Sequence, residues 1–243
     1  MTSQISPATQ KDLAPSGKLR VGLNYGNFLL VLKDKPDGTP QGIAPDLARE
    51  LAKRLEMGLE FVKFDAAGKL ADGVKTGTWD VAFLGNEPQR AAEIAFSAAY
   101  LEIPVTYLVP AGSPVQGIAD IDRKGVRIAV ADKSAYHLFM MRELKNAELV
   151  SADGIDGSYK LFIESKLDAL AGLKPRLLTD QAKNPGSRVL EGQLTAVQQS
   201  IGVPKSHEAA ARYLREFAED VKKSGLVAEL IARHKVPGVT VAK

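Results

Sequence analysis

The stretch VKTGTWDVAFLGNEPQRAAEIAFSAAY, residues 74–100, contains three patterns in succession. A short helix pattern ends at Gly77, an apolar strand pattern covers residues 79–85, and a Gly-Asn-Glu-Pro turn follows. The turn leads to Arg90, which has an acid three residues before it and the run AFSAAY behind it. The function of this cation depends on what the rest of the chain builds around the turn.

Strand and helix patterns alternate on both sides of this stretch. Leu19, Val21 and Leu23 alternate as in a strand, whereas Ile43 and Leu47 begin the four-residue spacing of a helix. We predict strands at 18–24, 59–65, 79–85, 125–132, 167–173 and 195–204, and helices at 42–58, 69–77, 134–146, 158–166 and 206–234. Such alternation indicates a mostly parallel sheet covered by helices.

Some residues in these patterns are interpreted as structural. Gly42 and Asp46 suit the start of the helix predicted at 42–58, where an acid interacts favourably with the helix dipole. Gly58 suits the position after the last turn of that helix. Trp79 precedes a buried strand, and we interpret it as a packing residue.

The segments VKTGTWDVAFLG (74–85) and IESKLDALAGLK (163–174) resemble each other. In each, a helix ends and an aspartate, Asp80 or Asp168, precedes a buried strand, so we expect the two aspartates to have the same structural role. With connections near 108–114 and 200–205, the repeat predicts two α/β lobes. Ligands of open α/β sheets lie beyond the carboxyl ends of the strands. The loops expected to meet at a cleft are Asn24–Phe28, Gly85–Arg90, Asp132–Tyr136 and Leu173–Lys174.

The composition excludes several classes of protein. The chain has 243 residues, a formal net charge of +3 and no cysteine. The absence of cysteine removes disulfides, thiolate metal sites and cysteine nucleophiles. No basic run is interleaved with aromatic residues, so we expect no nucleic-acid partner.

Motifs for catalysis, cofactors and metals are also missing. His137, His207 and His234 have no mutual spacing that would suit a metal cluster or a Ser-His-Asp arrangement. Neither a G-x-G-x-x-G nor a G-x-x-x-x-G-K-[ST] motif is present. We therefore predict no catalytic residues, no cofactor and no metal.

No apolar run approaches the roughly 18 residues of a membrane span, and the first 18 residues contain no apolar core of a secretory leader. We expect a periplasmic protein if a leader was removed and Met1 was added, or otherwise a cytoplasmic one.

Four segments together resemble family 3 of the solute-binding proteins, the receptors of polar amino-acid ABC transporters. They are GKLRVGLNYGNF, DGTPQGIAPDLARELAKRL, VKTGTWDVAFLGNEPQRAAEIAFSAAYLEIPVTYLV and GLVAELIARH, and the resemblance covers about residues 17–235. It implies two Rossmann-like α/β lobes joined by a two-segment hinge, the type II periplasmic binding protein fold. The implied limits are a flexible N-terminal tail at 1–16, lobe 1 at 17–108 with 201–243, and lobe 2 at 109–200.

The resemblance also implies a function. A protein of this kind captures a small polar ligand that bears a carboxylate, an amino acid or a related organic acid, in a cleft between its lobes. It delivers the ligand to an ABC-transporter permease. We expect a monomer whose partners are this ligand and a permease.

In the family, the arginine of a T-P-x-R motif binds the ligand carboxylate through its planar fork, and Arg90 occupies that position. Here Glu87 replaces the family threonine, and Leu173 replaces the acid that binds the ligand amine. Lys174 follows Leu173 at once. The alternative interpretation is that Arg90 is a surface arginine paired with Glu87 or Glu93.

The resemblance implies further candidates in both lobes. Tyr25 and Phe28 are candidates for stacking on the ligand, with core packing as the alternative for Phe28, and Tyr136 is a candidate with a half-buried helical position as its alternative. Ser134 and nearby backbone N–H groups at a helix start would bind an anion. The full predicted set of ligand-binding residues is Tyr25, Asn27, Phe28, Gly85, Asn86, Glu87, Arg90, Lys133, Ser134, Ala135, Tyr136, Leu173 and Lys174.

Two other functions of the same fold are considered. One is a ligand-sensing protein without a transporter. The other is an enzyme similar to cyclohexadienyl dehydratases, which needs a general acid in the cleft. Leu173 removes one such acid, and Glu87 beside Arg90 is expected to stay ionised, which is the wrong state for an acid catalyst.

Overall fold

The computed structural model describes residues 5–243 and divides them into two compact units. Unit 1 comprises residues up to Leu101, Gln198–Val236 and Thr240–Lys243, and unit 2 comprises Glu102–Val197 with Pro237–Val239. The lobe limits given above, 17–108 with 201–243 and 109–200, stay a prediction.

The helices and strands alternate along most of the chain. The helices are α1 (Pro7–Leu13), α2 (Ile43–Leu55), α3 (Ala67–Thr76), α4 (Ala135–Glu143), α5 (Gly154–Glu164), α6 (Lys174–Lys183), α7 (Glu208–Lys223) and α8 (Leu226–Arg233). The strands are β1 (Lys18–Asn24), β2 (Gly58–Phe64), β3 (Val81–Gly85), β4 (Ile94–Phe96), β5 (Leu101–Val109), β6 (Arg127–Ala131), β7 (Glu148–Ala152), β8 (Ala169–Leu173), β9 (Arg188–Val189), β10 (Thr195–Pro204) and β11 (Thr240–Val241).

The sheet of unit 1 places three strand ends along one edge. β1 lies between β2 and β3 and is parallel to both, with Asn24 opposite Phe64 and Leu23 opposite Phe83. β10 is antiparallel to β3 and also pairs with β4. The loops that follow β1 and β3 therefore leave the sheet on the same side.

Unit 2 repeats this arrangement. β6 lies between β7 and β8 and is parallel to both, with Ala129 opposite Leu170. β8 is antiparallel to β5, which also pairs with β9. The loops after β6 and β8 consequently share an edge, as the alternating pattern predicts.

Helix α2 shows why the apolar spacing produces this packing. Ile43, Leu47 and Leu51 lie on one face of the helix and are fully buried. Gly42 precedes the helix with φ of 126°, a backbone conformation that favours glycine. The prediction that Gly58 ends the helix is wrong, because Glu56 takes the left-handed position and its N–H bonds to the carbonyls of the last turn.

The N-terminal segment differs from the predicted flexible tail. Residues 1–4 lie outside the described residues, but residues 7–13 form α1, and Leu13 is fully buried. Asp12 Oδ2 accepts hydrogen bonds from the backbone N–H groups of Ala209 and Ala210 at 3.1 and 3.3 Å. This carboxylate therefore caps α7 from a distant part of the chain, which local patterns do not predict.

An aspartate–arginine contact recurs in the two units. In unit 1, Asp80 Oδ2 accepts from the backbone N–H and Nε of Arg20, both at 3.0 Å, and Oδ1 accepts from Arg20 Nη2 at 2.6 Å. In unit 2, Asp168 Oδ2 accepts from the Arg127 backbone N–H at 2.8 Å and lies 3.6 Å from Arg127 Nε. Both aspartates thus attach the start of one strand to its neighbour, and the common role predicted from the repeat is confirmed.

Burial distinguishes the two contacts. Asp80 is 2% exposed, whereas the side chains of Asp168 and Arg127 are each 44% exposed. We expect Asp80→Ala to lower the free energy of unfolding by about 2–4 kcal/mol, because it removes a buried acceptor from the Arg20 backbone N–H and from a guanidinium that is only 29% exposed.

The matched variant Asp168→Ala should lower the free energy of unfolding by about 1 kcal/mol or less, because water solvates its exposed partner Arg127. Urea unfolding of both variants measures the difference. Equal losses would show that the Asp80 contact contributes no more than a surface ion pair.

Candidate functional site

The predicted loops of unit 1 lie at one edge of its sheet. Asn24–Phe28 follows β1 and Gly85–Arg90 follows β3, and these strands are parallel neighbours. The loop that contains Tyr25 and the turn that leads to Arg90 therefore leave neighbouring strands at the same edge of the sheet.

Arg90 is buried in unit 1, so the interpretation as a surface arginine is wrong in that respect. Arg90 is 6% exposed, and its Nη1 donates a hydrogen bond to the Gly85 carbonyl at 2.6 Å. Burial lowers the Arg90 pKa to about 10, although the charges of Glu87 and Asp72 act in the opposite direction. Arg90 is consequently still a cation at neutral pH, held at the end of β3.

Three backbone N–H groups in and just after the Gly-Asn-Glu-Pro turn donate hydrogen bonds within the protein. The Glu87 carbonyl accepts from the N–H groups of Arg90 and Ala91 at 2.9 and 3.0 Å, which forms the short 3-10 turn at Arg90–Ala92. The Asn86 N–H donates to the Gln198 carbonyl at 2.8 Å. The Asn86 side chain is exposed and the Glu87 side chain is half-buried.

The loop after β1 holds three predicted residues in different environments. Asn27 is buried, and its Oδ1 accepts from the Leu29 N–H at 3.2 Å, so it stabilises the turn locally. Phe28 is 36% exposed, so the core interpretation of Phe28 is wrong. Tyr25 is half-buried, and its hydroxyl donates to Asp34 Oδ1 at 2.9 Å.

The turn after β6 in unit 2 begins α4. Lys133 has a left-handed backbone with φ of 49°, and the Ser134 Oγ accepts from the His137 N–H at 3.1 Å as the helix cap. His137 Nδ1 in turn accepts from the Lys133 N–H at 2.9 Å. Two of the groups expected to meet an anion, the Lys133 N–H and the Ser134 hydroxyl oxygen, thus already take part in local hydrogen bonds.

Tyr136 is buried rather than presented at the helix start. It is 3% exposed, and burial raises its pKa to about 12, while a hydrogen bond with Ser134 and the charge of Arg176 act in the opposite direction. Ala135 beside it is also buried. The half-buried position considered for Tyr136 understates its burial.

Leu173 and Lys174 form the junction between β8 and α6. Leu173 is buried, and Lys174 is the first residue of a helix with proline in its first turn, not a loop residue. Lys174 is half-buried beside a cavity of about 420 Å³ within unit 2. The residues around this cavity are Pro104, Lys174, Pro175, Leu178, Thr179, Pro237 and Gly238.

Sequence reasoning missed several polar residues near the predicted ones. His137 is signalled only by a serine three residues earlier, the spacing of a helix cap. Asp34 and Lys63 give no local signal, because their contact joins positions 29 residues apart in the chain. Arg176 is paired with the buried Asp180 one turn later at 2.8 Å.

Two kinds of feature are absent from residues 5–243. No group of three or more His, Cys, Asp or Glu side chains in that range is arranged to hold a metal ion. In the same range, no helix has both the length and the apolar character needed to span a membrane.

Comparison with known families then identifies the chain. The model of bacterial extracellular solute-binding proteins, family 3, matches residues 19–236. The chain belongs to this family. The match includes the β3 turn with Arg90 and the junction at Leu173, so the resemblance stated from four segments is confirmed.

Solved structures agree with the family in their fold. The L-cysteine solute receptor of Neisseria gonorrhoeae is 20% identical with a TM-score of 0.78, covering 96% of this chain and 95% of that one. An amino-acid ABC transporter substrate-binding protein of Streptococcus pneumoniae bound to L-arginine is 19% identical with a TM-score of 0.75, covering 98% and 100%. These similarities confirm the predicted type II periplasmic binding protein fold.

A third similar structure concerns the enzymatic alternative. It is an ancestral amino-acid-binding protein, a precursor of cyclohexadienyl dehydratase, with 20% identity, a TM-score of 0.74 and coverage of 93% and 98%. That protein is itself described as a binding protein. The family and these neighbours support a binding protein rather than an enzyme.

The His137 contact leads to a prediction of pH dependence. Burial lowers the His137 pKa, and the Asp132 carboxylate, 3.5 Å from Nδ1, acts in the opposite direction. The unfolded chain has the ordinary histidine pKa near about 6.5. Between the two values only the unfolded chain binds the proton, so the free energy of unfolding should decrease as the pH falls through about 6.5.

Urea unfolding between pH 7.5 and pH 5.5 checks this dependence. The variant His137→Gln should lose this part of the slope, since glutamine does not titrate. In the unmutated protein the Lys133 amide NMR signal should shift with the same midpoint as the His137 ring. Identical slopes in the two proteins would contradict the assignment.

Proposed function

We propose that this chain is an extracytoplasmic solute-binding protein that captures a small carboxylate-bearing ligand, an amino acid or a related organic acid, for uptake by an ABC transporter. The monomeric protein then delivers the ligand to the transporter permease. The observation that carries the proposal is a buried arginine, Arg90, at the carboxyl-terminal edge of a parallel sheet. It occupies the position of the arginine that binds the ligand carboxylate in the family.

The environment of Arg90 supports its role as the anion anchor. Burial lowers the Arg90 pKa to about 10, which means that its charge is less well solvated than in water. A bound carboxylate would favour the charged form of Arg90, as the charges of Glu87 and Asp72 already do. A guanidinium can also bind both carboxylate oxygens at once, which a lysine cannot.

Glu87 supports a zwitterionic ligand. Its carboxylate stands where the family has a threonine donor, and Leu173 is apolar where the family has the acid that binds the amine. The acid needed for an ammonium group is therefore supplied in this chain by unit 1 instead of unit 2. On this proposal, Glu87 binds the ammonium group while Arg90 binds the carboxylate.

The ligand is identified first by thermal shift against small carboxylates, amines and amino acids, including L-arginine and L-cysteine. A ligand at a hundredfold its dissociation constant stabilises a protein by about 2.7 kcal/mol. A screen in which no carboxylate stabilises the protein contradicts the proposal.

The first variant tests the anion anchor. Arg90→Lys should weaken binding of the ligand from the screen by about 2–4 kcal/mol, because the two-pronged contact is lost and the anion stays partly unpaired. Calorimetry measures the affinity. Arg123→Lys, at a side chain that is 65% exposed in unit 2, is the matched control and should leave it unchanged. Unchanged affinity in Arg90→Lys would make Arg90 a structural residue of the β3 turn.

The second variant tests the acid. Glu87→Thr should strengthen binding of simple carboxylates, because it replaces a like charge with a hydroxyl donor. It should weaken binding of ligands that carry an ammonium group near the carboxylate. Glu93→Thr, at an exposed acid 3.8 Å from Lys75 Nζ, controls for the change in net charge. The same change in both variants would show that only the overall charge matters.

A further inference from the structure

A cavity of about 420 Å³ in unit 2 takes no part in the function proposed above. Its lining comes from strand β5, from the first turns of α6 and from the C-terminal segment 237–239, all of which belong to unit 2. Ligand pockets have volumes of about 300–1,000 Å³, so this cavity is large enough for a small molecule. It lies in a different unit from Arg90.

The lining of this cavity is rigid. Pro104, Pro175 and Pro237 have a fixed backbone φ and no N–H group, so they offer apolar rings and no backbone donor. Gly238 has a φ of 71°, and a Cβ atom at this position would lie 2.8 Å from Pro175 Cγ. The C-terminal segment is therefore packed directly against the start of α6. The cavity is formed before any ligand binds, which lowers the entropy lost on binding.

The apolar part of the lining is accessible. Leu178 is 52% exposed, whereas its neighbour Leu177 is buried in the core of unit 2. The Thr179 hydroxyl, which also lines the cavity, donates to the Pro175 carbonyl at 3.3 Å. Water in the cavity consequently finds few hydrogen-bond partners, and an apolar group displaces such water at little cost.

Lys174 supplies the charge of the cavity. No acidic side chain lines the cavity, and none among residues 5–243 pairs with the Lys174 ammonium group. The next cation along α6, Arg176, differs in this respect, because it pairs with Asp156 and Asp180 at 2.7 and 2.8 Å. The cavity therefore has one positive charge that no acid offsets, beside an apolar surface.

We propose that this cavity is a second binding site, for a small amphipathic carboxylate whose anionic group contacts Lys174 and whose apolar body contacts Leu178 and the three prolines. One ammonium group balances one negative charge, which is the charge of a carboxylate. Lysine binds an anion as a point charge, so burial of the apolar body supplies much of the affinity. An ammonium group on the ligand is disfavoured, because the lining has no acid and Lys174 repels it.

The probe for this site is 3-phenylpropionate, which combines a carboxylate with an apolar ring. In an NMR titration, the amide signals of Leu178 and Gly238 should show saturable shifts. The neutral 3-phenylpropionamide should bind about tenfold or more weakly, because the contact with a charged group is lost. Propionate, which lacks the ring, should also bind more weakly. Equal binding of 3-phenylpropionate and its amide would refute the role of the charge and with it the proposal.

Two variants test the lining directly. Lys174→Met keeps the apolar stem and removes the charge, so it should weaken binding of 3-phenylpropionate about tenfold and change binding of the amide little. Leu178→Ser changes a side chain that is more than half exposed, and it should weaken binding of both probes because apolar contact is lost.

Matched controls lie elsewhere in unit 2. Lys160→Met removes a lysine that is 71% exposed and lies 3.8 Å from Glu164, and Met141→Ser removes an apolar side chain of α4 that is 58% exposed. Both variants should bind 3-phenylpropionate as the unmutated protein does. If Lys160→Met weakens binding as much as Lys174→Met, the net charge of the protein and not the cavity is responsible, and the proposal is refuted.

The outcomes also separate this site from the one proposed at Arg90. Arg90→Lys should leave the shifts of Leu178 and Gly238 and their midpoint unchanged. If Arg90→Lys abolishes binding of the probe and Lys174→Met does not, the probe occupies the site of the proposed function and the second site is refuted. If the unmutated protein shows no saturable shift at Leu178 and Gly238, the second site is again refuted, while the proposed function, which depends on Arg90, still stands.

Discussion

The contact between Asp80 and Arg20 is the constraint on which unit 1 depends. A carboxylate that is almost completely buried needs full hydrogen bonding, and Asp80 obtains it from the backbone and side chain of the neighbouring strand. The Asp80 N–H returns a bond to the Arg20 carbonyl at 2.9 Å. Because β1 and β3 are attached in this register at their starts, Tyr25 and Gly85 leave the sheet at the same edge.

Unit 2 repeats this construction with weaker burial and a different turn. Asp168 holds Arg127 through the backbone in the same way, and the Asp168 N–H also bonds the Arg127 carbonyl. At the opposite edge, however, His137 Nδ1 accepts a hydrogen bond from the Lys133 N–H, and the His137 N–H donates to the Ser134 Oγ that caps the helix. The turn of unit 2 therefore has fewer uncommitted polar groups than the resemblance implies. This gives the charged groups of unit 1 the larger part in the proposed recognition of a ligand.

The failures of sequence reasoning have a common physical cause. The N-terminal segment is polar and short, so its pattern indicates a tail, yet Leu13 is buried and Asp12 caps α7. Glu56 ends α2 in a left-handed conformation that a nearby glycine was expected to take. In each case the decisive partner lies in another element, or the backbone adopts a conformation that residue preferences alone do not favour.

Local patterns were sufficient for the alternating elements, the repeat of Asp80 and Asp168, the family and the position of Arg90. They were sufficient because spacing of apolar residues and short motifs record which face of each element is buried. Folding alone decided that Arg90 is buried, that Lys174 begins a helix, and that Asp34 and Lys63 meet at Tyr25. The reason is that burial and hydrogen bonding between distant positions are properties of the packed chain, and a pKa or a donor direction follows only from those contacts.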